Sequence, residues 1–317
     1  MKWRRIGQIF EFDRSDFSGE FVGYAQSPQA LVFHDRVRFY FSTRPPAVNG
    51  KFVSVVQYVD MSKDFKTVLG RSHGTVVPLG KLGTFDEHGI FPFSVFRHDD
   101  AIWAYSNGWN RRKSVSVDTA IGLAISRDEG RTFTKLGDGP VLGPSLHEPY
   151  LVCDPFVRVF DGVFHMWYLY GTGWKSGTSD APPDRTYVIG HATSTDGINW
   201  QKEGKPIISQ MHPEECQALP TVIRLGERYH MMFCHRHTFG FRTDPARAYR
   251  LGYAWSDDLV HWHRDDTRCG LETSIDSWDS DMVCYPHLFS CDGKIYLTYN
   301  GNHFGRDGFG LAELESE

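Results

Sequence analysis

The chain contains no run of about 18 apolar residues, so no segment is long and apolar enough to cross a bilayer as a helix. It lacks a basic surplus as well. Against 34 Lys and Arg stand 39 Asp and Glu, a formal charge of −5, and a nucleic-acid surface needs a basic face to neutralise phosphates. Neither nucleic acid nor a membrane is therefore expected as a partner. Low-complexity tracts and long linkers are absent, which makes residues 1–317 a single expected domain. Met1-Lys2-Trp3-Arg4-Arg5 is basic, yet no apolar stretch follows it as in a secretory leader, and the expected location is the cytoplasm. The six cysteines (Cys153, Cys216, Cys234, Cys269, Cys284, Cys291) form neither a CxxC pair nor a disulfide framework, and are expected as reduced, buried apolar groups. No HExxH occurs, and His235-Arg236-His237 is only a loose HxH, so no catalytic metal is expected. The pattern fixes no oligomeric state.

What the chain does contain is a repeat. A proline opens a short apolar strand at Pro28, Pro92, Pro155, Pro220 and Pro286, at steps of 63 to 66 residues. Each is followed by an alternating run such as Phe156-Val157-Arg158-Val159-Phe160, a turn rich in Asp and Gly, and an aromatic strand such as His165-Met166-Trp167-Tyr168-Leu169. Self-similarity at such a period marks units that bury their faces only against one another. The second half of the unit repeats as Ile121-Gly122-Leu123-Ala124-Ile125-Ser126-Arg127-Asp128, Ile189-Gly190-His191-Ala192-Thr193-Ser194-Thr195-Asp196 and Leu251-Gly252-Tyr253-Ala254-Trp255-Ser256-Asp257-Asp258. A third strand, a tight turn stabilised by the Asp carboxylate, and a fourth strand fit these blocks. The predicted fold is all-β: a five-bladed β-propeller of four-stranded antiparallel blades.

The fifth copy stops after Gly308-Phe309-Gly310-Leu311-Ala312-Glu313-Leu314, before any Asp-Gly turn. Trp3-Arg4-Arg5-Ile6-Gly7-Gln8-Ile9-Phe10 carries the fourth-strand pattern seen after Trp200. The N-terminal strand is thus expected to close the last blade, removing two free sheet edges.

In a propeller the innermost strands surround a central channel, and residues preceding the blade prolines should meet at one mouth. Five residues before the proline stand Glu87, Glu215 and Asp281; directly before it stands Asp154. Converging carboxylates raise one another's pKa, an arrangement that helps folding little and catalysis much. Cleavage of a glycosidic bond needs such a set, with one acid protonated and another ionised. Near the same places lie His88, Trp109, Trp174, His235, Arg236, His237, His287, Asn302, His303 and Arg306. Aromatic faces stack on sugar rings while His, Asn and Arg pair with hydroxyls, so these are the expected substrate-binding residues. No cofactor is expected; a structural Ca²⁺ held by carboxylates in the channel is the alternative.

With these motifs in place, the chain resembles the five-bladed β-propeller superfamily that includes glycoside hydrolase families 32, 43, 68, 117 and 130. Cys153-Asp154-Pro155-Phe156-Val157 is similar to the Asp-Pro strand start that carries the base or nucleophile in that superfamily. The resemblance implies Asp154 as base or nucleophile, Glu215 as general acid, and Asp281 or Glu87 as the partner that tunes it. Two departures stand out. The Asp-Pro falls in blade three rather than blade one, and no Glu-Gly-Pro acid motif is present. Hydrolase, transglycosylase and phosphorylase chemistries stay open, with Arg236, His237 and Arg306 expected to hold phosphate in the last. Ser126-Arg127-Asp128-Glu129-Gly130-Arg131-Thr132-Phe133 resembles the sialidase Asp-box, a turn device rather than a catalytic one. The expected activity is the cleavage or transfer of a glycosidic bond, in the metabolism of surface polysaccharide; a noncatalytic carbohydrate- or protein-binding propeller is the alternative.

Overall fold

The computed structural model describes residues 1–12, 21–177 and 182–316. Strand β1 (Lys2–Glu11) is set apart from those that follow it. Blade one comprises β2 (Gly23–Val32), β3 (Val37–Arg44), β4 (Val55–Met61) and β5 (Val68–Arg71). Blade two comprises β6 (Gly89–His98), β7 (Ala101–Arg111), β8 (Val117–Ser126) and β9 (Thr134–Lys135). Blade three is built from β10 (Val152–Phe160), β11 (Val163–Lys175), β12 (Asp184–Ser194) and β13 (Gln201–Lys202). Blade four is β14 (Glu215–Leu225), β15 (Arg228–His237), β16 (Arg250–Ser256) and β17 (His263–Arg264). Blade five orders β18 (Cys284–Cys291), β19 (Lys294–Asn300) and β20 (Gly308–Ser316), and β1 completes it. The architecture is the five-bladed propeller that the repeat implies.

Ring closure follows the expected clasp. β1 pairs antiparallel with β20, Trp3 opposite Leu314 and Arg5 opposite Ala312. The Met1 amino group donates to the Arg268 carbonyl at 2.6 Å and Trp3 Nε1 to that of Cys269 at 2.9 Å, tying the strand to blade four as well.

Each pair of neighbouring blades shares an apolar cluster, because each sheet has two apolar faces and water would meet both without the next blade. Polar staples fix the spacing. Tyr40 of blade one donates to the Gly130 carbonyl of blade two at 2.7 Å, and Tyr105 of blade two to that of Gly197 in blade three at 2.6 Å. Gly130 has φ +74°, and a Cβ there would meet the Tyr40 hydroxyl at 2.1 Å, so both the turn and the staple demand glycine.

The repeated Ser-x-Asp turns do what their residue types suggest. Asp128 accepts the Thr132 N–H at 3.0 Å, Asp196 that of Asn199 at 2.8 Å, and Asp258 that of His261 at 2.8 Å. Ser126, Ser194 and Ser256 bond to these carboxylates in turn. All three acids are held below the usual carboxylate range by hydrogen bonds, against opposing burial that is greatest at Asp128, and serve the turns rather than chemistry.

Candidate active site

Every inner strand is irregular at its blade proline. Register shifts fall between Gln26 and Gln29, Ile90 and Phe93, Cys153 and Phe156, Ala218 and Thr221, and Cys284 and His287. The residues just before the prolines are Ser27, Phe91, Asp154, Leu219 and Tyr285. Four of these are non-glycine residues with positive φ: Ser27 at 53°, Asp154 at 54°, Leu219 at 49° and Tyr285 at 58°. Such backbone costs roughly 1–3 kcal/mol per residue. Its recurrence in four blades makes it a property of the architecture, and it accompanies the register shift in each of those inner strands.

These positions form a ring. Asp154 accepts the Leu219 N–H at 3.3 Å, and the Phe91 and Tyr285 rings meet edge to face at 5.3 Å. Among the five, blade three alone supplies a carboxylate. Asp154 is 4% exposed and accepts the Cys153 thiol at 3.0 Å. Burial lifts its pKa to about 6, while the Cys153 thiol, the positive charge of Arg185 and the Leu219 N–H oppose that rise. A carboxyl so placed exchanges a proton near neutrality, as an acid catalyst must.

Cations and phenols surround this acid. Arg185, opposite Trp174 in the β11–β12 ladder, acts electrostatically on Asp154. Tyr187 and Tyr249 occupy matching places in blades three and four, their hydroxyls 3.1 Å apart. Buried Arg236 donates to Tyr187 at 3.0 Å and to the His237 and Thr238 carbonyls, and its guanidinium lies 3.7 Å from the Phe241 ring centroid. Tyr249 packs against Tyr285, and Phe304 against Phe241 and Tyr249, closing the aromatic wall. On the far side Arg44 sits 4.0 Å over the rings of Tyr24 and Phe52, within electrostatic reach of Tyr285. Among the described residues, neither Arg44 nor Arg185 has a hydrogen-bond or ion-pair partner for its guanidinium, and the Arg44 Nε is buried and unsatisfied. Burial pushes the Arg44 pKa down, as expected of a cation lacking a counter-ion.

The sequence-derived candidates divide accordingly. Asp154, Arg236 and Trp174 belong to this cluster. Trp109, with His88 stacked on it at 6.1 Å, reaches it through Phe52, whose ring is 5.9 Å from Trp109; Glu87 lies beside His88 at 3.7 Å and caps the Gly83 N–H. The other acids are engaged elsewhere. Glu215 is buried against Arg264 of the outermost strand at 2.6 Å, with Gln217 and the Met211 N–H also bonded to it. Burial alone would raise its pKa, but these partners hold it below the usual range. His235 leans toward Asp266 in that same ion-pair group, at 3.6 Å. Asp281 contacts Ser280 at 3.3 Å, and its backbone binds Asn302 and Arg250, so Asn302 shapes a loop. His237 stacks on His212 at 4.3 Å near Glu214, and His303 pairs with Arg306 at the exposed rim. His287 lies deeper in the channel, fully buried.

The physical reason for this split is the bulge. Counting back from the proline assumes regular alternation, but the register shift between Ala218 and Thr221 reorients the strand ahead of it, and Glu215 turns outward to β17. Arg44, Arg185, Tyr187, Tyr249 and Tyr285 went unread in the sequence. Tyr285 was findable, because it precedes its proline as Asp154 does; so were Tyr187 and Tyr249, each two residues before the aligned Ile189 and Leu251. Among the described residues no group of three or more His, Cys, Asp or Glu could hold a metal ion, and the dispersed acids do not fit the roughly six to eight oxygens of Ca²⁺.

Five-bladed propeller glycoside hydrolases share this architecture: a glycoside hydrolase matches with TM-score 0.74 at 16% identity, covering 99% of this chain and 92% of its own. A thermostable family-43 glycoside hydrolase matches with TM-score 0.66 at 15% identity, over 93% and 91%. No family model matches the chain. In sequence it is 33% identical, over the full length of both, to "Uncharacterized protein Rv1502" of Mycobacterium tuberculosis, and it belongs to that protein's family. A beta-1,2-mannobiose phosphorylase of Thermoanaerobacter sp. is 28% identical over 139 residues, 41% of this chain and 44% of that one. A 1,2-beta-oligomannan phosphorylase of the same organism is 29% identical over 175 residues, 52% of each.

Proposed function

We propose that this protein is a glycoside phosphorylase that protonates the leaving sugar from Asp154 and takes inorganic phosphate as its nucleophile. The observation that carries this reading is one buried, protonatable carboxylate under the positive charge of Arg185, with Arg44 within electrostatic reach of Tyr285 in the same ring, and neither guanidinium held by a hydrogen bond or ion pair among the described residues. Hydrolysis by the usual route needs a second carboxylate about 5–9.5 Å away to act as nucleophile or to deprotonate water. Glu215, which the resemblance implied as general acid opposite Asp154 as base or nucleophile, is tied to Arg264, so the second carboxylate of such a pair is engaged elsewhere. Phosphate is already anionic and needs no general base, so a single acid suffices.

In the proposed reaction a phosphate oxygen forms a bond to the anomeric carbon while the glycosidic C–O bond breaks. The departing oxygen takes the Asp154 proton, leaving a sugar 1-phosphate, a shortened glycan and an ionised Asp154 that regains a proton from solvent. Arg185 and Arg44 hold the phosphate and spread its charge. Tyr285, Tyr249, Tyr187 and Phe91 offer faces and hydroxyls to the sugar. The names of the two phosphorylase relatives support this chemistry and make β-1,2-linked mannosides the first substrates to assay.

The test is kinetic. Arg185→Met and Arg44→Met should each raise KM for phosphate by about tenfold or more, since one charge-assisted hydrogen bond is worth roughly 1.5–3 kcal/mol, with a smaller effect on KM for the glycan. An unchanged phosphate KM in both variants would remove the phosphate assignment.

A further inference from the structure

Where blades one and two meet, an apolar side chain is held in water. Phe52, in the loop between β3 and β4, is 41% exposed. The backbone beside it is pinned to blade two: the Ser54 N–H donates to the His88 carbonyl at 3.2 Å, and the Ile90 N–H to the Ser54 carbonyl at 3.0 Å. Arg111 of β7 donates to the Phe52 carbonyl, and the Arg44 guanidinium of β3 lies 4.0 Å from the Phe52 ring centroid. A single exposed apolar residue is ordinary on a protein surface. One fixed by two blades beside a second aromatic ring marks a surface that meets something.

The second ring is that of Trp109. Its Nε1 donates to the Ser54 hydroxyl at 2.7 Å, and its ring lies 5.9 Å from that of Phe52, inclined at 56°. Trp109 stands opposite Gly89 in the β6–β7 ladder, and a Cβ on Gly89 would come within 2.0 Å of the indole nitrogen, so glycine leaves the space that the indole fills. His88 stacks on the indole at 6.1 Å. Burial, with the charge of Arg111 added and Glu87 opposing, pushes the His88 pKa down, so the ring is neutral at pH 7. Its Nδ1 accepts the Arg111 backbone N–H at 3.4 Å, which leaves the proton on Nε2, 3.7 Å from the Glu87 carboxylate. Two aromatic rings with a donor and an acceptor beside them match the apolar faces and hydroxyls of a sugar ring.

This platform adjoins the pre-proline ring. Gly89, against the indole, precedes Phe91 by two residues, roughly 7 Å along β6, and Phe91 meets Tyr285 at 5.3 Å. Arg44 makes a second link, its guanidinium lying 4.0 Å from the ring of Tyr24 as well as from that of Phe52. We propose, on the basis of the reaction proposed at Asp154, that Phe52 and Trp109 stack against a sugar unit beyond those joined by the scissile bond, so that the substrate is a glycan chain longer than a disaccharide. A disaccharide placed at Asp154 leaves the platform bare, and a longer chain covers it.

The experiment is isothermal titration with a length series of β-1,2-mannosides, from mannobiose to mannotetraose, without phosphate, so that binding is read apart from phosphorolysis. In the unaltered protein affinity should rise by about tenfold once the chain is long enough to cover the platform, the size expected when a ligand withdraws an aromatic face from water. Phe52→Ala, a change at an exposed side chain, should remove that rise. Affinity independent of length would overturn the proposal. So would a rise retained in Phe52→Ala, or a Phe52→Ala effect confined to oligomer size by light scattering, which would make the ring a contact between copies of the chain. The two readings fail separately. A length dependence lost in Phe52→Ala supports the platform even if no sugar 1-phosphate is formed, and sugar 1-phosphate formed with equal efficiency from every length sinks the platform alone.

Discussion

The Asp154 carboxylate accepts the Leu219 backbone N–H at 3.3 Å, a bond between equivalent pre-proline positions of neighbouring blades that are 65 residues apart in sequence. The acid is thereby fixed to the ring itself rather than to a loop, out of water yet beside Arg185. Its pKa of about 6 sets the first expectation. In the direction of glycan cleavage, kcat/KM should fall about tenfold per pH unit above that value as the acid loses its proton. A profile flat to pH 9 would remove Asp154 from the acid role.

Stability should move the same way. The folded state binds the Asp154 proton more tightly than the unfolded chain, whose carboxyl titrates near 3.8. This contribution is fully present below about pH 4 and lost as pH rises through about 6, an amount on the order of 3 kcal/mol. Asp154→Asn removes the buried charge, so the variant should melt several degrees above the parent at pH 8, with the gap shrinking toward pH 4. Melting curves at both pH values check it, and a variant less stable at pH 8 would contradict it.

Cys153 positions the acid. Its thiol donates to Asp154 at 3.0 Å and favours the ionised carboxylate. Cys153→Ala should therefore shift the falling limb of the pH profile upward, and Cys153→Ser, which retains a donor, should restore it. Identical profiles for all three proteins would show that the thiol is only a packing group.

Glu215→Gln is expected to spare chemistry and harm folding. Its carboxylate meets Arg264 at 2.6 Å, both side chains being nearly inaccessible. Loss of one partner from a buried pair costs about 3–5 kcal/mol, and the remaining bond between Arg264 and Asp266 should bring this to the lower end. Denaturant unfolding should show the loss while kcat at 25 °C stays within about twofold. Loss of turnover without loss of stability would return Glu215 to the catalytic set.

Much of the architecture could be read from the chain because its signals are local and repeated. The prolines mark the inner strands, the Ser-x-Asp turns mark the outer ones, and Trp3 to Phe10 carries the pattern of a missing fourth strand that β1 supplies. Asp154 was legible for the same reason, standing beside its proline. Glu215 points away because the strand bulge between Ala218 and Thr221 changes which way the preceding residues face, and Asp281 stands in the loop before β18, where strand alternation does not apply; no periodicity records either. Arg44 and Arg185 escaped because each takes its meaning from an absence, a guanidinium without a hydrogen-bond or ion-pair partner among the described residues, which only packing reveals.

The most direct test of the central claim is product analysis by phosphorus NMR, with β-1,2-mannobiose as glycan and with or without inorganic phosphate. The account predicts sugar 1-phosphate formed only when phosphate is present, and none from an Asp154→Asn variant that is folded by its melting curve. Free sugar released at the same rate without phosphate, or undiminished turnover by Asp154→Asn, would contradict it.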